Sequence, residues 1–269
     1  QQIDIMKIQI KTDLLQKGLV TLNHAVSTKS QLPILSNILI EATKDEVFLS
    51  STDLEIGITT TIPAEVTEEG SVTAPAKTLN ELISSFNTEI TTLEAEETNL
   101  TVTTKNSKST FMTQPAVDFP KLYLEKGEKV ASIEDGVFQK DIEPVLFSAS
   151  LDMSRPALTG VLLKPEDDGI LFVATDGYRL SFKKSKTKIG ELDQRLIIPA
   201  RVLREVVGLK ESGKKLSMFV SKDNNQIIFD YGKTLLVGRL IDGEFPAFEK
   251  IIPTDSSTLT SFERARLPR

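Results

Sequence analysis

The chain has 269 residues, 39% of them hydrophobic and 26% charged, which suits one large domain or two of ordinary size and excludes a disordered or fibrous chain. With no Cys and a single His, disulfides, thiol nucleophiles and multi-histidine metal sites are excluded, and any Ser-His-Asp triad must use His24. No apolar run approaches the ~20 residues that span a bilayer, and the first residues lack a basic segment followed by an apolar one, so a cytoplasmic protein with no membrane partner is expected.

Taken in chain order, Leu15, Leu19, Leu22 and Val26 recur at helical spacing and predict an amphipathic helix. His24 falls on it and, with no companion motif, reads as a helix-surface or edge-of-core imidazole. Strand-like Ile38-Leu39-Ile40 and Val47-Phe48-Leu49 follow, and residues 41–69 hold eight acids against Lys44. A second helix is expected after Pro75, since proline suits a first helical turn. Leu100-Thr101-Val102-Thr103-Thr104 has strand character.

Phe138, Ile142, Leu146 and Ala149 predict a third helix, with strands at Val161-Leu162-Leu163 and Ile170-Leu171-Phe172-Val173 after it. Residues 178–188 hold Arg179, Lys183, Lys184, Lys186 and Lys188 with no acid, a cluster that ordinarily marks a solvated loop. The helix expected after Pro199 buries Val202, Leu203, Val206 and Val207 and turns Arg201 and Arg204 to another face. Gln226-Ile227-Ile228-Phe229 and Leu235-Leu236-Val237-Gly238 read as strands, and Asp223-Asn224-Asn225 as a hairpin turn.

These elements repeat. Pro33 and Pro156 are 123 residues apart, as are Asp53 and Asp176; Pro75 and Pro199 are 124 apart, and Phe119 and Phe245 are 126 apart. Landmarks in one order with so small a drift define two homologous domains, expected at 6–126 and 127–253, with 254–269 as the start of an incomplete third. The reading is α+β, repeated domains each with two helices packed on antiparallel β-sheets. The net charge of -6 then hides an uneven distribution, with basic residues expected on the helices and acids on strands and loops. A positive helix-lined face would suit a phosphate backbone.

No phosphate-cradling glycine loop, zinc-binding helix or nucleophile elbow occurs. The equivalent Thr52-Asp53 and Thr175-Asp176-Gly177 leave open an aspartic-peptidase reading of two lobes with one Asp each. The order of residues is wrong for it, however, and an Asp closing a turn after a buried strand is the simpler reading.

Leu32-Pro33-Ile34-Leu35-Ser36-Asn37, Ser51-Thr52-Asp53-Leu54-Glu55, Ala116-Val117-Asp118-Phe119-Pro120, Ala174-Thr175-Asp176-Gly177-Tyr178-Arg179-Leu180 and Asp242-Gly243-Glu244-Phe245-Pro246 together resemble the bacterial DNA polymerase III beta subunit, the beta sliding clamp family. The resemblance runs from about Met6 to Pro253 and implies a DNA clamp fold with no catalytic residue, no metal and no cofactor. It implies a processivity factor, a non-catalytic subunit of a DNA-directed DNA polymerase holoenzyme. Its partners would be double-stranded DNA, bound without sequence specificity, and the polymerase III catalytic subunit and clamp loader, bound through short peptide motifs. In the family, two protomers of three domains join head to tail as a ring around duplex DNA, with helices lining the hole.

By that resemblance Lys29, Lys77, Arg155 and Arg201 are expected to contact DNA. Thr175, Gly177, Tyr178, Arg179, Leu180 and Pro253 match one wall of the partner-peptide pocket, where the family often carries His in place of Tyr178. Phe262-Glu263-Arg264 looks like the opening of a third copy, so this chain is expected to lack most of domain 3, to be unable to supply both ends of a head-to-tail interface, and not to close a ring. The rival reading is a two-domain peptide-binding adaptor that does not encircle DNA.

Overall fold

The computed structural model describes residues 5–27, 31–96, 98–122, 125–134, 136–187, 194–209, 215–221, 225–261 and 263. The first repeat consists of β1 (Met6–Lys11), α1 (Thr12–Leu22), β2 (Asn37–Thr43), β3 (Glu46–Thr52), β4 (Ile56–Pro63), β5 (Glu65–Glu68), β6 (Gly70–Pro75), α2 (Ala76–Ser84), β7 (Ile90–Glu96), β8 (Asn99–Thr103) and β9 (Lys108–Met112). The second consists of β10 (Glu128–Ile133), α3 (Val137–Leu146), β11 (Gly160–Glu166), β12 (Gly169–Thr175), β13 (Leu180–Ser185), β14 (Leu196–Pro199), α4 (Ala200–Gly208), β15 (Leu216–Ser221), β16 (Gln226–Asp230) and β17 (Thr234–Arg239). Every described strand pairing is antiparallel, and the class is α+β as expected.

Both helix pairs follow the apolar spacing. Leu15, Leu19 and Leu22 of α1 are buried, as are Phe138, Ile142 and Val145 of α3. Val26 and Ala149 lie beyond the helix ends, and His24 sits in a single 3-10 turn, Asn23–Ala25, rather than on α1 itself. The helices begin directly after Pro75 and Pro199 as expected, but each proline stands before the first turn and not in it, as the last residue of its strand. A proline has no N–H to continue a ladder, so it ends the strand and turns the chain into the helix with one residue. Asn225 precedes β16 with a φ of 50°, while Asp223 and Asn224 lie outside the described residues.

The strands form three sheets, ordered β5-β1-β7-β8-β9, β10-β15-β16-β17-β4-β3-β2-β6 and β13-β12-β11-β14. The middle sheet belongs to both repeats. Its β10-β15-β16-β17 half matches β1-β7-β8-β9 of the first repeat, and its β4-β3-β2-β6 half matches β13-β12-β11-β14 of the second. The seam is β4 on β17, in register from Thr60↔Thr234 to Ile56↔Gly238. Gly238 is needed there, because a Cβ at that position would lie 2.7 Å from Val202 Cγ1 on α4. One apolar cluster runs through both repeats, from Ile8 and Leu19 to Phe138, Phe229 and Leu236.

Among the described residues no helix is long and apolar enough to cross a membrane. In the second repeat Phe138 of α3 meets Phe172 at 5.9 Å between ring centroids and Phe229 at 5.8 Å, joining its two sheets through one side chain. Phe138→Ala should therefore cost about 3–5 kcal/mol in denaturant unfolding, with the transition midpoint lowered accordingly.

Candidate nucleic-acid and peptide interfaces

The Thr-Asp pair builds the same turn twice. In the second repeat Thr175 Oγ1 donates to Arg179 O at 2.7 Å and accepts from Gly177 N at 3.1 Å, while Asp176 Oδ1 accepts from the backbone of Tyr178 and Arg179 at 3.0 Å each. In the first, Thr52 Oγ1 donates to Ile56 O at 2.8 Å and accepts from Leu54 N at 3.0 Å, while Asp53 Oδ1 accepts from Glu55 N at 3.0 Å and Ile56 N at 2.9 Å. The residue after each Asp is left-handed, with φ of 94° at Gly177 and 78° at Leu54. Glycine takes that conformation without strain and leucine does not.

Each carboxylate also has its own cation. Asp176 Oδ2 accepts from Arg179 Nε at 2.9 Å, and Asp53 pairs with Arg201 from α4. Two acids separately held by turns and guanidinium groups do not share a proton, and the peptidase reading has no support in this geometry.

The turn of the second repeat projects its residues to the outside. Tyr178 is 100% exposed and Arg179 lies 5.4 Å from the Phe147 ring centroid. Arg155, expected at DNA, lies beside this turn: its Nη1 is 3.8 Å from where a Cβ on Gly177 would be. Leu180 packs on a second apolar cluster of Leu162, Leu171, Val173, Ile197 and Phe248, and Ile252 packs on the same cluster with exposed Pro253 directly after it.

Sequence reasoning missed this outer cluster. At the matching positions of the first repeat Leu39 and Phe48 stay apolar, but Ser50 and Thr73 stand for Val173 and Ile197: Ser50 is bonded to Thr59 at 2.9 Å, and Thr73 donates to Gln114 O at 2.8 Å. The signal was present: β12 is buried along its whole length, whereas β3 ends in Ser50-Ser51-Thr52. A strand that is apolar on both faces needs cover on both.

The expected DNA-contacting residues fare unevenly. Lys29 lies outside the described residues. Lys77 is exposed at the start of α2. Arg201 is engaged across the seam, with Asp53 and with Glu55 Oε2 at 3.3 Å from Nη1. Arg204, one turn further along α4, is exposed and was not singled out.

The expectation that helices carry the basic residues needs correction. Asp13 balances Lys17 on α1, Glu81 balances Lys77 on α2, Asp141 and Glu143 outnumber Lys140 on α3, and only α4 is net positive. Of the cluster Lys183, Lys184, Lys186 and Lys188, the first two stand on the edge strand β13 and not in a loop, Lys186 follows the strand, and Lys188 lies outside the described residues. Lys184 reaches Asp168 at 2.9 Å and Glu166 at 3.1 Å, and Lys183 lies 3.9 Å from Asp141. His24 Nδ1 is 2.8 Å from Glu205 Oε2 on α4.

Residues 6–123 match the family model described as the DNA polymerase III beta subunit, N-terminal domain, and residues 132–247 match its central domain. The chain belongs to the beta sliding clamp family. It is 32% identical over 284 residues to the beta sliding clamp of Synechocystis sp., covering 97% of this chain and 73% of that protein. The beta sliding clamp of Chlamydia trachomatis is 30% identical over 98% of this chain and 63% of its own length. In three dimensions the chain is similar to the DNA polymerase sliding clamp of Bacillus subtilis, with a TM-score of 0.89 at 26% identity over 93% of this chain and 68% of that one. It is similar also to the DNA polymerase III subunit beta of Pseudomonas aeruginosa, with a TM-score of 0.88 at 27% identity. The sliding-clamp relatives are non-catalytic proteins.

Hydrogen bonds from the Arg179 and Tyr178 backbones, and then the Arg179 side chain, hold the Asp176 carboxyl below its ordinary range. A folded-state pKa below the unfolded value stabilises the turn at pH above the unfolded value, about 3.9, and that contribution fades as pH falls through the folded pKa. Carboxyl-carbon NMR should therefore find Asp176 titrating below about 3.9, and Arg179→Ala should move its midpoint upward.

Proposed function

We propose that this chain acts as a processivity clamp on duplex DNA, tethering a replicative polymerase and other partners without doing chemistry itself, as a non-catalytic part of a polymerase holoenzyme. The observation that carries the reading is the β4·β17 seam, which fuses two equivalent repeats into one continuous sheet, together with membership of the clamp family. We place the domain boundary at 126/127, supported by β10 opening the second repeat at Glu128.

Head-to-tail association has support in the sheet edges. The seam joins a β17-type edge to a β4-type edge, and β9 and β13 are the matching strands at the other ends of the sheets. On this reading the chain carries one edge of each kind, and retention on circular DNA decides between association of copies and the expectation that two repeats do not close a ring. An interface of this kind is heterologous and closes only if its rotation brings the last copy back to the first.

For DNA contact, Lys77 and Arg204 are the better helix candidates: both are exposed and neither has an ion-pair partner among the described residues. Arg201 is already held by two carboxylates. Contacts of this kind, few and to phosphate, let a protein slide. The partner-peptide wall is proposed at Thr175, Gly177, Tyr178, Arg179, Leu180 and Pro253, with Arg155 beside them. Its support is the apolar cluster beneath Leu180 and the cations that flank it.

Two experiments test the reading. The chain should be retained on nicked circular DNA and released when the circle is cut, with retention weakened by Phe182→Asp at the β13 edge. A monomer that binds peptide but shows no salt-dependent DNA affinity would be the adaptor instead. In a salt titration on linear duplex, Lys77→Ala with Arg204→Ala should reduce the slope of log K against log salt by up to about 1.8, at about 0.9 for each phosphate no longer neutralised. Leu180→Asp should weaken a fluorescent polymerase-tail peptide about tenfold or more and leave the DNA slope unchanged.

A further inference from the structure

We propose that Arg201 and Glu205 are positioning residues that fix the angle between the two repeats, making the seam an ionically braced and salt-sensitive joint. The β4·β17 ladder resists sliding of one repeat along the other, since that would break its backbone bonds from Thr60↔Thr234 to Ile56↔Gly238. It specifies the twist less closely, since neighbouring strands in different sheets are rotated by anything from roughly 10° to 35° relative to one another. Something off the seam has to hold the angle.

Helix α4 is placed to do so. Arg201 and Glu205 stand at i and i+4, on one face and about 6 Å apart along the axis. Arg201 reaches Asp53 and Glu55 in the turn before β4, and Glu205 reaches His24 after the end of α1. A single helix of the second repeat thus grips the first at two separated points. Val202, between them, packs on Gly238 of β17 and ties the helix to the seam strand.

The contacts are specific to this joint. At the offset of 123, the positions of His24, Asp53 and Glu55 become Phe147, Asp176 and Tyr178 in the second repeat. Phe147 and Tyr178 are exposed, and Asp176 is turned to Arg179 of its own turn. The ionic brace is not a general property of the fold but a device of the first repeat against the second.

The absence of cysteine makes the test direct. Spin labels on Lys105→Cys and Asp167→Cys, both exposed turn positions in different repeats, report the inter-repeat distance by pulsed electron resonance on the full chain. At about 0.1 M salt the distribution should be narrow, and Arg201→Gln with Glu205→Gln should at least double its width while the circular dichroism spectrum stays that of the wild type. Glu205→Lys alone should broaden it and His24→Glu with Glu205→Lys should restore it, a rescue that a packing defect would not give. Independently of any variant, raising salt to about 1 M, where the screening length falls to about 3 Å, should broaden the wild-type distribution. An unchanged width in the double glutamine variant, a failed rescue, or a wild-type distribution indifferent to salt would each overturn the proposal.

Discussion

The pairing of β4 with β17 is the constraint from which the rest of the molecule follows. Two repeats with separate sheets would have separate cores and a mobile linker. Here the seam gives them a common sheet and one apolar cluster. It also decides which strands remain at the ends. Because the joint takes a β17-type strand from one repeat and a β4-type strand from the other, any chain of such repeats ends in one edge of each type. The order of strands within a repeat thus decides which edges are left at the ends, before any side chain is considered.

The repeats diverge on the face that carries the second apolar cluster and at the Thr-Asp turn. Both turns keep the same four hydrogen bonds, so the backbone is the same in both copies while the residues it presents differ. In the second repeat the left-handed position is glycine and the next residues are Tyr178 and Arg179, which stand out from the surface over an apolar floor. In the first, Leu54 occupies the strained position, Glu55 is taken up by Arg201, and Ser50, Thr59 and Thr73 are satisfied by hydrogen bonds beneath. Hydroxyls bonded in this way offer nothing to an apolar peptide. The same scaffold thus yields an exposed turn over an apolar floor in one copy and a joint in the other.

Much of this was legible in the sequence, and the limits have physical causes. The offsets of 123 to 126 residues exposed the repeat because helix stripes and turn residues must recur wherever the same core is built. Leu19 and Ile142 could be matched with no structure at all. The seam could not, since a β-strand's partner is not written in its own alternation. For the same reason Arg201 read as a surface cation available to DNA. Its ion pairs join residues 148 and 146 positions apart in the chain, and only the β4·β17 register brings them together. Lys183 and Lys184 misled in the opposite direction, because a strand edge lined with lysines has the composition of a loop.

The correction to the charge map sharpens the functional argument. Described helices that are close to neutral, on a chain of net charge -6, cannot hold DNA tightly by counterion release, which scales with the number of phosphates neutralised. An adaptor that had to find and keep DNA by affinity would be poorly served by such a surface. A tether that keeps DNA by topology needs no strong contact, since effective concentration replaces affinity, and strong contacts would slow its movement. Weak helix charge is therefore compatible with the sliding proposed above. The ion pairs between α4 and the first repeat then serve the joint and not the nucleic acid, on the proposal made above.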